Sequence, residues 1–235
     1  MNSRKEGFVI YKQKVRDSVW IVKIFTKEQG LQSFWLRPKK EWRSLNAMDE
    51  INFDSKGDQR DQLHWIKDLE WVNPHHHIHA HPYRAATALF IQEVLYRLLQ
   101  ENDANPPLFF FIQEILQQLD ADADISLLHF AFLLGLMRSM GCCPSAPQHP
   151  VDWFGLEAGV FGNGAPPRYA IENAEGQLSC FIALLEGRWE QLNKPEVRNG
   201  DRRKLLKSLV DYLFIHQHKI NSINSLEIYY ELFHA

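Results

Sequence analysis

A change of hydrophobic period near residue 73 limits what this chain can fold into more than any other feature. Before it, apolar and aromatic residues come in short runs split by turns. Gly7–Val15 and Val19–Thr26 flank the tight Arg16-Asp17-Ser18 connection, as the two arms of a hairpin do. Lys27-Glu28-Gln29-Gly30 supplies turn chemistry ahead of the aromatic run Leu31–Leu36. Weaker strand-like runs follow at Met48–Phe53 and Ile66–Val72, with Asp54-Ser55-Lys56-Gly57-Asp58 as the loop between them.

After the Pro-flanked stretch Asn73–Pro82 the pattern turns helical. Ala86, Leu89, Phe90, Glu93, Val94 and Arg97 recur at helix spacing through Leu99. Asn105-Pro106-Pro107 stops that helix and opens the next, Leu108–Leu119. A third helix runs from Ser126 to Met140, and Gly141 ends it. Residues 142–176 are rich in Gly and Pro and read as an irregular insert, held by Trp153, Phe154, Leu156 and Phe161. Shorter helices are predicted around Leu178–Glu186, Asp201–His216 and Ser225–His234. The fold class is therefore α+β. A five-stranded barrel over residues 1–80, the strand count of an OB-fold, precedes an all-helical domain over residues 81–235.

Charge divides along the same line. The chain is nearly neutral, at −3, yet residues 1–43 hold eleven Lys/Arg against four acids, a net +7, and the remainder is net −10. A basic module followed by an acidic one is compatible with a polyanion partner, whereas solvated surface lysines are the bland alternative. An OB barrel that grips nucleic acid needs cations along the phosphates and flat faces for the bases. Lys12, Lys14, Arg16, Lys23, Arg37, Lys39, Lys40 and Arg43 are the candidate cations. Among the aromatics, Trp20 and Trp35 read as barrel core. Trp42, set between Glu41 and Arg43, reads as the base-stacking candidate.

Several groups that might carry other chemistry read as structural. The run His75–His81 holds five of the eleven histidines, but it has no cysteine nearby and Pro flanks it, so it reads as a joint between domains. Asp120, Asp122 and Asp124 precede a helix, where acids favour the helix dipole. Cys142, Cys143 and the distant Cys180 contain no C-x-x-C pair, and His149 adds little, so no zinc and no cofactor is expected. No Gly-rich phosphate loop or nucleophile elbow occurs. No segment has the 18 uninterrupted apolar residues of a membrane span, and cysteine usage fits a reducing cytoplasm.

The order of these features resembles the RecO family over nearly the whole chain. Thr26-Lys27-Glu28-Gln29-Gly30 is similar to the family's T-x-E-x-G turn, and Arg37-Pro38-Lys39-Lys40 to its basic stretch after the third strand. Phe90–Leu95, Asn105–Phe109, Phe130–Pro144, Arg203–His216 and Asn224–Leu232 resemble its helical segments. The resemblance implies a non-enzymatic bacterial recombination mediator, cytoplasmic and nucleoid-associated when active. Such a protein binds single- and double-stranded DNA and anneals complementary strands. With RecR it helps load RecA onto DNA coated by single-strand binding protein.

The resemblance also implies a groove for the acidic, aromatic C-terminal tail of single-strand binding protein. The apolar stripe Phe130, Leu133, Leu134 and Met137 beside Arg138 is the candidate, with Arg202-Arg203-Lys204 and Lys207 as an alternative basic rim. This chain departs from the four-cysteine zinc pattern of many family members. The competing readings are an enzyme, such as a hydrolase or nuclease, and an OB-fold adaptor that docks proteins without touching DNA.

Overall fold

The computed structural model describes residues 4–232 except 38, 58–62, 74, 122, 174–175, 196 and 220–222; the side chains of residues 41, 43, 228–230 and 232 also lie outside the description. Five strands close into a barrel: β1 (Lys5–Arg16), β2 (Val19–Thr26), β3 (Gly30–Leu36), β4 (Glu50–Lys56) and β5 (His64–Asn73), in the order β1-β2-β3-β5-β4. All pairings are antiparallel except β3 with β5, which is parallel and short: Phe34 pairs with His64 and Trp35 with Trp65. Alternation along each strand fills the barrel with Val22, Ile24, Phe34, Leu36, Ile51, Phe53, Ile66 and Leu69.

The five expected strands are all present, and of the expected Arg16-Asp17-Ser18 connection Arg16 ends β1 while Asp17 and Ser18 form the turn. The turn after β2 has a clear local cause. The Thr26 hydroxyl is buried, donates to the Gly30 carbonyl at 2.9 Å, and accepts the Gln29 N–H at 3.3 Å. Gly30 adopts φ +69°, and a Cβ there would lie 2.1 Å from the Asp103 carbonyl oxygen. Only glycine meets both demands.

Helices α1 (His76–Ala80), α2 (Pro82–Leu98) and α3 (Pro106–Asp120) follow, and α7 (Ser225–Leu232) closes the described chain. Packing groups Met1–Ile125 with Ile223–Ala235 as one compact unit and Ser126–Ser222 as another. Contact packing thus places α1–α3 and α7 in the barrel's unit. Helix α3 packs Phe109 against Phe8 and Phe25, with ring centroids 4.7 and 6.1 Å apart, and Gln92 of α2 donates to the Ile10 carbonyl. These two helices cover outward-facing apolar residues of the barrel and complete its core.

Two carboxylates cap helices remote in sequence. Asp120 accepts the His77 and Ile78 N–H groups at the start of α1, at 2.9 and 3.1 Å. Glu93 accepts those of Asn224 and Ser225 at the start of α7, at 3.0 and 2.7 Å. Asp120 thus acts as a cap, while Asp122 lies outside the described residues.

The second unit contains α4 (Leu128–Ser139), α5 (Gln177–Leu185) and α6 (Asn199–His216). The insert carries more regular structure than expected. Strands β6 (Trp153–Gly155), β7 (Val160–Gly162) and β8 (Ala170–Glu172) form a small sheet in the order β7-β6-β8. Phe154 anchors it, with the rings of Phe161, Phe181 and Tyr212 centred 4.7, 5.0 and 5.3 Å away.

Candidate nucleic-acid interface

The candidate cations divide into part-buried and exposed. Lys12 is half-buried; its ammonium donates to the Leu45 carbonyl and lies 5.1 Å from the Trp20 ring. Burial lowers its pKa, partly opposed by the charge of Asp49. Lys23 is held by Glu101 at 2.8 Å, and this hydrogen bond is the main reason the Glu101 carboxyl titrates below its ordinary value. Both lysines already have protein partners. In contrast, Lys14, Arg16, Arg37, Lys39 and Lys40 are exposed. Lys14 keeps 56% of its side-chain surface and reaches Asp17 only at 3.3 Å, a surface pair of small energetic weight. The Arg43 side chain lies outside the described residues.

Strand register gathers the exposed cations at one end of the barrel. Lys14 pairs with Trp20 and Arg16 with Val19, and Trp20 in turn pairs with Leu36, the residue before Arg37. Lys39 and Lys40 follow within the connection to β4, entering a 3-10 turn at Glu41–Ser44.

The aromatic assignments need correction. Trp42 is only 4% exposed and belongs to the barrel's core cluster, reached from the 3-10 turn Glu41–Ser44. It offers no face to a base. Lys39 lies over its ring at 4.3 Å. Trp35, expected in the core, instead alternates with the buried Phe34 and Leu36 and points to the outer face. There it stacks on Trp65, with centroids 5.9 Å apart and planes at 28°, and Arg37 lies 4.7 Å from the Trp65 ring. Sequence reading passed over Trp65, although its alternation with Ile66 carried the signal. Trp20 does pack against the core, as expected.

The apolar stripe on α4 needs the same correction. Phe130, Leu133, Leu134 and Met137 are fully buried, as are most of their helix neighbours, and only Arg138 of the expected groove is exposed. A helix apolar all round is a core element. In the alternative rim, Lys207 pairs with Asp211 at 2.7 Å and Arg202 is half-buried.

The histidine run is built into the fold. His75 is buried in the left-handed region at φ 44°, 4.0 Å from Asp120, and burial lowers its pKa. His79 faces Asp49 at 3.2 Å. Among the described residues no three His, Cys, Asp or Glu side chains are grouped to hold a metal ion, and no helix is long and apolar enough to cross a membrane. Burial raises the pKa of Cys142, Cys143 and Cys180.

A closed five-stranded barrel with a cationic end and an external indole pair, followed by helices, defines a protein of the OB-fold class. The family model "Recombination protein O N terminal" matches residues 1–75, and "Recombination protein O C terminal" matches residues 79–220. Proteins named DNA repair protein RecO are similar along the chain: 26% identity in Flavobacterium psychrophilum, covering 99% of this chain and all of that one, and 24% in Bacteroides fragilis with the same coverage. A third, from Porphyromonas gingivalis, is 25% identical over 89% of this chain and 90% of its own. The chain belongs to the RecO family of DNA repair proteins.

Proposed function

We propose that this protein is a recombination mediator that binds single- and double-stranded DNA through its barrel without reading sequence. The observation that carries this reading is the set of five exposed cations, Lys14, Arg16, Arg37, Lys39 and Lys40, at one end of an OB barrel of a DNA repair family. Phosphate contacts set position and affinity but carry no base information. Two strands held this way lose part of their mutual repulsion, and base pairing then supplies the free energy of annealing. No nucleotide hydrolysis is needed, and the protein acts as a mediator rather than as an enzyme.

Its proposed partners are RecR and the acidic C-terminal tail of single-strand binding protein, with RecA as the recombinase loaded. With the stripe on α4 buried, the tail's site moves to the cleft lined by Leu156, Tyr169, Phe214 and Ile215 in the second unit. Tyr169 and Ile215 are exposed there, and Lys219 and Arg168 supply positive charge beside the acids Glu157 and Asp211. The nucleoid is where such a protein acts.

Strand annealing tests the reading. Complementary oligonucleotides, bare or coated with single-strand binding protein, should anneal faster with the protein present. No acceleration on either substrate would contradict it, and strand scission with magnesium or manganese would favour a nuclease.

A further inference from the structure

The barrel's outer face carries a row of side chains whose composition is unusual for a solvated sheet. Register runs it across all five strands: Gln13 of β1 pairs with Ile21, Ile21 with Trp35, Trp35 with Trp65, and Trp65 with Lys56. Neighbouring strands lie about 4.8 Å apart, so Ile21, Trp35 and Trp65 form a continuous apolar strip roughly 10 Å wide. None of the three is buried, although Phe8, Phe25 and Leu31 elsewhere on the barrel are. Two half-exposed indoles side by side therefore face outward on a sheet whose core is already complete.

Cations flank the strip. Arg37 lies over Trp65, Lys56 is exposed at the end of the row, and Lys14 and Arg16 project from the hairpin one to three residues beyond it. The acids of the five strands are Glu6 in β1, Glu50 and Asp54 in β4, and Asp68 and Glu70 in β5, and none of them stands in the row. A polyanion crossing the strip therefore meets Arg37, Lys56, Lys14 and Arg16 at its margins.

We propose that Trp35 and Trp65 form a base-stacking platform on which unpaired nucleobases of a single strand lie, while Arg37 and its neighbours hold the flanking phosphates. The inference rests on the DNA-binding reading above and assigns it a second, non-ionic component. Every base has a π-face, so the platform tolerates any sequence, and it has no purchase on a duplex whose bases are stacked on one another. The platform therefore makes the barrel prefer unpaired over paired DNA, a preference that phosphate contacts alone do not supply.

The test compares a short single-stranded oligonucleotide with an abasic one of equal length and charge, using equilibrium binding to the full-length protein. The wild type should hold the base-bearing strand about tenfold tighter, as expected for one or two stacked bases. Trp35→Ala with Trp65→Ala should remove that difference and leave the salt dependence unchanged, while Trp35→Phe with Trp65→Phe should keep most of it. Circular dichroism and thermal melting establish that the variants fold, and the wild-type comparison stands without them. Equal affinity of the wild type for both strands would overturn the platform and leave phosphate binding intact. So would an alanine variant that folds and keeps the preference. Binding to neither strand would overturn the DNA-binding reading itself.

Discussion

Asp49 accepts a hydrogen bond from the Trp71 indole N–H at 2.9 Å, and the same oxygen accepts the Asn46 backbone N–H at 2.7 Å. Its second oxygen faces His79 Nε2 at 3.2 Å. One buried carboxylate thereby joins the loop before β4, strand β5 and helix α1.

Removing that carboxylate takes the acceptor from two donors in a part-buried site. Asp49→Ala should destabilise the protein by about 2–4 kcal/mol. Asp49→Asn, which keeps an acceptor oxygen, should cost less. Urea unfolding of the two variants checks the order.

Trp42 is a core residue in spite of its polar sequence neighbours. Trp42→Ala should cost about 3–5 kcal/mol, the usual range for emptying a large aromatic site. The fraction that remains folded should bind DNA with near wild-type affinity. A loss of binding without a loss of stability would return Trp42 to the interface.

Gly30 should be intolerant of any side chain. Gly30→Ala combines a left-handed backbone with a direct collision with the Asp103 carbonyl. It should lower stability by at least about 2 kcal/mol, measurable as a fall in Tm.

That Trp35 and Trp42 depart from expectation, while Trp20 and the strands do not, has a physical reason. Strand positions follow from period-two alternation and turn residues, which are local. Trp42 lies in no strand: the Trp42 N–H donates to Lys39 at 3.1 Å and Leu45 donates back to Trp42 at 3.2 Å, and this turn aims the ring at the core. Nothing between Glu41 and Arg43 encodes that direction. Trp35 was legible, because Phe34 and Leu36 are its apolar neighbours and only one parity can face inward. The sheet in the insert was not, since three-residue strands are too short to show a period. That α2 and α3 pack with the barrel likewise depends on tertiary contacts, such as Phe109 against Phe8, that no local pattern announces.

His129 gives the second unit a defined pH response. It is buried, and burial, helped by the positive charge of Arg202, pushes its pKa down to about 3. The unfolded chain takes up this proton below pH 6.5, and the native protein does not until about pH 3. Stability present above pH 6.5 is therefore lost as the pH falls through that window, by about 2 kcal/mol at pH 5. Urea unfolding at pH 7.5 and pH 5 should show this loss, and His129→Gln should reduce it.

The salt dependence of single-strand binding tests the central claim most directly. Five exposed cations, each neutralising one phosphate, give a log–log slope of about −3.5 on single strands, and Lys39→Ala with Lys40→Ala should reduce it to about −2. A wild-type slope near zero, or a double variant whose slope and affinity match the wild type, would contradict the account.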